Sequence, residues 1–307
     1  DYLFYDGNTQ IAQIRNNVRM ENRTTTLTTD SLNYDRLANL GYFFDGGTLM
    51  DEENTLTSDW GEYSPATKVA VFNYEVKLEN AKFVLTSDTL RYSTDSKIAN
   101  IVGPSNIDSE ENHIYSELGF YNTQSGQAEL LNRSVLTNEG KSLTGDSLFY
   151  DRNKGYGEAF RHIEFIDTIN KNMLTGNYCY YNQLTSYAIA TDRAIATDFS
   201  QGDSLFIHAD TLQLFTYFLN TDSVYREARA FHKVRVYRTD IQAVCDSLVF
   251  SSKDSCLTMY QDPILWNGKQ QLLGEKVMVY MNDSTIDWAY IQNQALSVEK
   301  IDSVNYN

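Results

Sequence analysis

Proline is scarce in this chain: there are 3 among 307 residues, beside 16 glycines and 3 cysteines. So little proline leaves hydrogen-bonded ladders unbroken, and the glycine content is too low for a collagen-like or linker-like protein. Cys179, Cys245 and Cys256 form no C-x-x-C pair, which removes the zinc-ribbon and thioredoxin-like readings. Their odd number leaves at least one thiol free within the chain, and a Cys245–Cys256 bridge across a hairpin stays open. Positive charge is also short. Against 41 Asp and Glu stand 25 Lys and Arg, net −16, which argues against nucleic-acid binding, since phosphate affinity comes from clustered cations. No apolar run reaches the length of a bilayer-spanning helix.

Catalytic signatures are missing as well. There is no GxSxG, no P-loop, no GxGxxG and no Gly-Gly-x-Gly-x-Asp calcium repeat. His113, His162, His208 and His232 stand far apart, without metal-ligand spacing. The expectation is a protein with no catalytic residues, no metal and no cofactor.

Strand-forming residues are abundant. Tyr numbers 22, Phe 15, and apolar residues make up 42% of the chain, too many for a disordered acidic tail. The phrase Leu-Thr-x-Asp-Ser-Leu-x-Tyr recurs at Leu27–Tyr34, Leu85–Tyr92 and Leu143–Tyr150, with degenerate copies at Leu56–Tyr63 and Ile114–Tyr121. Taking its acidic residue as anchor, Asp1, Asp30, Asp59, Asp88, Glu117 and Asp146 follow at steps of 29; Asn177, Asp210, Asp246 and Glu275 continue the series more loosely. Four after each of the first six anchors stands Tyr5, Tyr34, Tyr63, Tyr92, Tyr121 or Tyr150. Eleven after stands a small residue: Ala12, Gly41, Ala70, Ala99, Ala128 or Gly157.

Each unit reads as strands. Leu32 and Tyr34 share a strand face, as do Leu90 and Tyr92. Polar turns of about five residues follow at 35–39, 93–97 and 151–155. A second strand carries Ala70, Phe72, Tyr74, Val76 and Leu78 on one parity. An acid beside Ser or Thr suits a hydrogen bond to local backbone at a strand start, so the recurring anchor reads as structural. Such a unit buries its apolar face only by stacking on neighbours. With no linker visible, the expectation is a single continuous, elongated, all-β domain over 1–307, about 29 residues per repeat. The pattern already runs at residue 1 without a basic or apolar leader, which fits a leader removed from the mature chain.

The copies Thr29-Asp30-Ser31-Leu32-Asn33-Tyr34, Ser87-Asp88-Thr89-Leu90-Arg91-Tyr92, Gly145-Asp146-Ser147-Leu148-Phe149-Tyr150 and Ala209-Asp210-Thr211-Leu212 make the chain resemble the OstA-like family. That family includes the periplasmic bridge proteins of lipopolysaccharide transport in Gram-negative bacteria. The resemblance runs along essentially the whole chain. It implies an open antiparallel β-jellyroll, two sheets in a V, whose apolar groove holds the acyl chains of lipopolysaccharide or lipid A. It also implies a periplasmic location, contact with the outer-membrane machinery, and end-to-end strand addition to other jellyroll components.

The inward candidates for such a groove are Leu32, Phe43, Phe72, Leu78, Leu90, Ile101, Leu130, Leu136 and Leu148. The tyrosine column suits the mouth, ring inward and hydroxyl outward. The same residues equally suit a closed, filled core. One segment runs against the acidic trend, with Arg226, Arg229, His232, Lys233, Arg235 and Arg238. Arg229, Lys233, Arg235 and Arg238 are the candidates for phosphate or membrane-surface contact; a solvated outer face accounts for them as well. The alternative from another class is a structural or adhesive β-solenoid that binds glycans or protein on its outer face.

Overall fold

The computed structural model describes residues 2–110, 112–200, 202–282 and 285–301, so the first anchor, Asp1, lies outside the described residues. Among the described residues there are twenty-seven strands and no helix. The strands pair antiparallel with their neighbours along the chain. The all-β antiparallel expectation therefore holds.

Turn chemistry sets the hairpins. The connections at 36–39, 65–68, 94–97, 123–126 and 152–155 hold four residues each, one fewer than expected. Each ends on a left-handed residue: Asn39, Lys68, Lys97, Gly126 or Gly155. The Lys68 N–H donates to Ser64 O at 2.8 Å and the Lys97 N–H to Ser93 O at 2.9 Å. Asp35 Oδ1 fixes the first of these turns, accepting from the N–H groups of Leu37 and Ala38 at 2.8 and 2.9 Å.

The long strands are bent at a two-residue bulge. In Ile11–Asn22 the register steps from Arg15↔Ser31 to Val18↔Thr29, which leaves Asn16 and Asn17 facing Asp30. Both have left-handed φ. Similar exposed left-handed pairs are Tyr74–Glu75, Asn132–Arg133, Arg161–His162, Asp192–Arg193, His232–Lys233 and Gln261–Asp262. The anchors stand across from them. Asp30 Oδ1 accepts from the Asn17 N–H at 3.0 Å, and Asn177 Oδ1 from the His162 N–H at 3.4 Å. The anchor thus bonds backbone as expected, but in mid-strand and across the ladder rather than at a strand start. Tyr74 is a second correction. It sits in the bulge, 67% exposed, while Phe72 and Val76 on either side are buried.

Two compact units divide the chain: Asp1–Glu139 with Asp146–Lys154, and Gly140–Gly145 with Gly155–Asn307. In the first, the bend splits each long strand between two sheets. Thr25–Thr29 pairs with the strand Gly47–Asp51, while Leu32–Asp35 pairs with Leu40–Phe43. The inward rows of the two sheets face each other. Phe83 from one meets the Tyr121 ring from the other edge-on at 4.8 Å. The second unit repeats the plan. There Val236, Ala243 and Leu265 of one sheet join Leu248, Met259 and Val277 of the other in a single core cluster.

Candidate functional site

Eight of the nine groove candidates (Leu32, Phe43, Phe72, Leu78, Leu90, Ile101, Leu130 and Leu148) are buried inside the first unit. Leu136 is half-buried. Large side chains fill this interior: Phe43 and Phe72 lie 6.1 Å apart by ring centroids, and Leu27, Leu49, Leu56 and Leu85 surround them. The two sequence columns prove to be one row. Ala12, Tyr34, Gly41, Tyr63, Ala70, Tyr92, Ala99, Tyr121, Ala128 and Tyr150 are successive cross-strand partners. Each ring has small residues beside it on the neighbouring strands.

The hydroxyls of this row do not all face water. Tyr63 and Tyr92 are buried, and their hydroxyls meet the rim of the opposite sheet. Asn22 Nδ2 donates to the Tyr63 hydroxyl at 3.2 Å. Tyr92 donates to Asp51 Oδ2 at 2.9 Å and accepts from Asn54 Nδ2 at 3.2 Å. Lys97 Nζ donates to the same Asp51 oxygen at 2.8 Å. Asp51 is 0% exposed, and Lys97 is buried too. Burial first, then the Asp51 charge, raise the Tyr92 phenol well above its ordinary range. These tyrosines and their partners shut the mouth that the sequence reading leaves open. Asp51 and Lys97 each stand in a 29-residue column, Asn22, Asp51, Asn80, Ser109, Asn138 and Asp167 for the first and Asn39, Lys68, Lys97, Gly126 and Gly155 for the second, but neither column is apolar, so a search for core residues passes over both.

The interior of the second unit is built differently. Its row nearest the bend reads Ala159, Cys179, Ala190, Leu212, Ala230, Leu248 and Met259. The next row out reads Gly157, Tyr181, Ala188, Leu214, Ala228 and Phe250. Tyr181 is 44% exposed and Leu214 38%, although both have inward parity. On the facing sheet Phe165, Leu174, Ala196 and Ile207 are half-buried, whereas Val236, Ala243 and Leu265 further along are buried. Along Tyr156–Tyr237 the inward rows thus combine small side chains with half-buried or exposed apolar ones. The alanines carry the signal, and a reading that looks for large apolar residues passes over them.

The four basic candidates do not form one patch. Arg229 stacks over Phe215 at 4.5 Å and is ion-paired with Glu227. Lys233 sits in the bend, and Arg235 lies beyond it on the other half of the strand, opposite His208. Arg238 is paired with Asp240 at 2.6 Å. The outer face beside Arg229 carries a ladder of Tyr156, Tyr180, Tyr187, Phe215, Tyr217 and Tyr225, with successive ring centroids 4.8–6.3 Å apart. Tyr217 and Tyr225 are stacked face to face.

The three cysteines are free and buried. The open possibility of a Cys245–Cys256 bridge fails on register: Cys256 stands opposite Ser251, and Cys245 opposite Val234. Among the described residues no three His, Cys, Asp or Glu side chains gather as a metal site.

Each unit is thus a bent-strand antiparallel sandwich, the first with a well-covered apolar interior and the second with inward apolar residues that are in part exposed. The chain belongs to the OstA-like family, whose model matches residues 1–88 and 108–198, more than half of its length. A search of the curated proteins finds no match. Among solved structures it is similar to LptH, the LptA homologous periplasmic component of the conserved lipopolysaccharide transport device from Pseudomonas aeruginosa. That likeness has 13% identity and a TM-score of 0.32, over 52% of this chain and 94% of that one. At that score it adds nothing to the family assignment.

Proposed function

We propose that this protein is a non-enzymatic, periplasmic carrier of lipopolysaccharide on its way to the outer membrane, and that acyl chains lie in the accessible interior of the second unit. Family membership supports the transport role. The observation that carries the site is the half-exposed inward row Tyr181, Ala188, Leu214 and Ala228, facing Leu174, Ala196 and Ile207. Sequestering a chain there is worth about 0.8 kcal/mol per methylene, so a partly enclosed acyl tail binds without any covalent step. Small residues in these rows support that reading, since they take up less of the interior than the leucines and phenylalanines of the first unit. The mechanism is hold and hand over, with direction supplied by partners of the same fold through strand addition.

A photoreactive residue tests the site. Placed at Leu214 or Ala188 it is expected to give lipopolysaccharide adducts; placed at Gln213 or Ile189, on the opposite face of the same strands, it is expected to give none. Adducts at neither pair in the folded protein would remove the groove. The adhesive alternative has less support: family membership favours transport.

A further inference from the structure

We propose that Asp51, Tyr92 and Lys97 form a rim clasp that keeps a second, latent apolar-chain site in the first unit shut. The inference rests on the acyl-chain reading of the second unit, because it assigns the same chemistry to the filled interior. Asp51 lies on the rim of one sheet, at the end of the strand Gly47–Asp51; Tyr92 and Lys97 lie on the rim of the other. The two rims are joined by Lys97 Nζ to Asp51 Oδ2 at 2.8 Å and Tyr92 Oη to the same oxygen at 2.9 Å. Asn54 ties in further, with Nδ2 to the Tyr92 hydroxyl at 3.2 Å and to Thr123 Oγ1 at 3.3 Å. Beneath the clasp run Phe72, Leu78, Leu85, Leu90 and Ile101, an apolar track with no charged side chain among them.

A carboxylate with 0% exposure is costly to bury without these donors. Take Lys97 away and Asp51 must find water, and the route to water is parting of the two rims. In the second unit the same row holds Tyr181, which is 44% exposed, and then Leu214 and Phe250, which have no hydroxyl to reach across. The buried Asp51–Lys97 pair beside a buried row tyrosine stands in the first unit, and its loss is expected to loosen that interior and leave the second as it is.

The test uses the full chain and the neutral dye N-phenyl-1-naphthylamine. Lys97→Met is expected to raise dye capacity on the order of twofold, one interior added to another. Hydrogen exchange is expected to quicken in Asn54–Ser58 and Phe83–Ser93 while Lys276–Asn282 keeps wild-type protection. The double variant Asp51→Leu with Lys97→Met, apolar on both sides of the rim, is expected to return both readings to wild type. Unchanged exchange in Lys97→Met, uniform loss of protection along the chain, or a double variant as open as the single one would each overturn the clasp. If Lys97→Met fails to fold, Tyr92→Phe carries the exchange measurement by the same criteria. If the wild type takes up no dye, the carrier reading of the second unit fails, while the exchange comparison still decides the clasp.

Discussion

Asp51 shows what a buried charge demands of its neighbours. Removing one partner of such a pair costs about 3–5 kcal/mol, because the remaining charge stays desolvated. Tyr92→Phe is milder: it deletes one donor to Asp51, and a loss of about 1–3 kcal/mol in urea unfolding is expected. The pH dependence follows from the raised Tyr92 phenol. A group whose folded pKa is raised contributes stability that is intact below its unfolded value and lost as pH climbs towards the folded value. With an ordinary value of 10.0, the wild type is expected to lose stability progressively above that pH, and Tyr92→Phe to lose less. Equal alkaline slopes in the two proteins would contradict the assignment. None of this was legible in the sequence. The tyrosine column is plain, but what its hydroxyls touch depends on Asn22 and Asp51, which share a polar column 29 residues apart, and on Asn54; no spacing along the chain says that these lie across from the rings. Ring in and hydroxyl out was a fair reading of one strand; the opposite sheet supplies the partners that reverse it.

At the scale of the element, alternation was legible and the bend was not. Phe72 and Val76 flank the bulge and both point inward, so inserting Tyr74–Glu75 leaves the parity of the strand intact. A period-two reading therefore runs straight through the bend and assigns Tyr74 to the core. The anchors marked the place without revealing the geometry. Asp30→Ala removes the acceptor for the Asn17 N–H, and a cost of about 0.5–1.5 kcal/mol is expected in the same unfolding assay. One strand glycine, Gly61, is pressed between two aromatic rings. A Cβ on Gly61 would stand 2.5 Å from the Phe43 ring and 2.7 Å from that of Phe72. Gly61→Ala is accordingly expected to cost about 1–3 kcal/mol through overpacking, with the near-ultraviolet dichroism of the phenylalanines altered. An unchanged midpoint would mean the rings move aside freely.

For the molecule as a whole, the two interiors differ in what fills them, and that difference is the basis of the functional account. Leucine, phenylalanine and tyrosine occupy the first; alanine and glycine line much of the second. Composition hides the contrast because alanine counts as apolar in both. Fold and family are legible in the motif series, and eight of the nine inward candidates are buried, while the exposed inward residues Tyr181 and Leu214 lie where the motif has decayed. The buried thiols report on the integrity of the second unit. Burial raises Cys179 to about 11, and burial with the nearby Asp246 charge raises Cys245 to about 12. At neutral pH both are expected to resist iodoacetamide until the unit unfolds; rapid labelling of the native protein, read by mass, would show that the interior is not packed as described.

The measurement that bears most directly on the central claim is lipopolysaccharide binding by wild type and by Ala228→Trp. Ala228 stands between Leu214 and Phe250 on the accessible row, so an indole there would occupy the space assigned to an acyl chain. The account predicts that the wild type binds and the variant, folded and with unchanged far-ultraviolet dichroism, has lost most of its affinity. Equal binding by the two proteins would place the lipid somewhere other than the interior of the second unit.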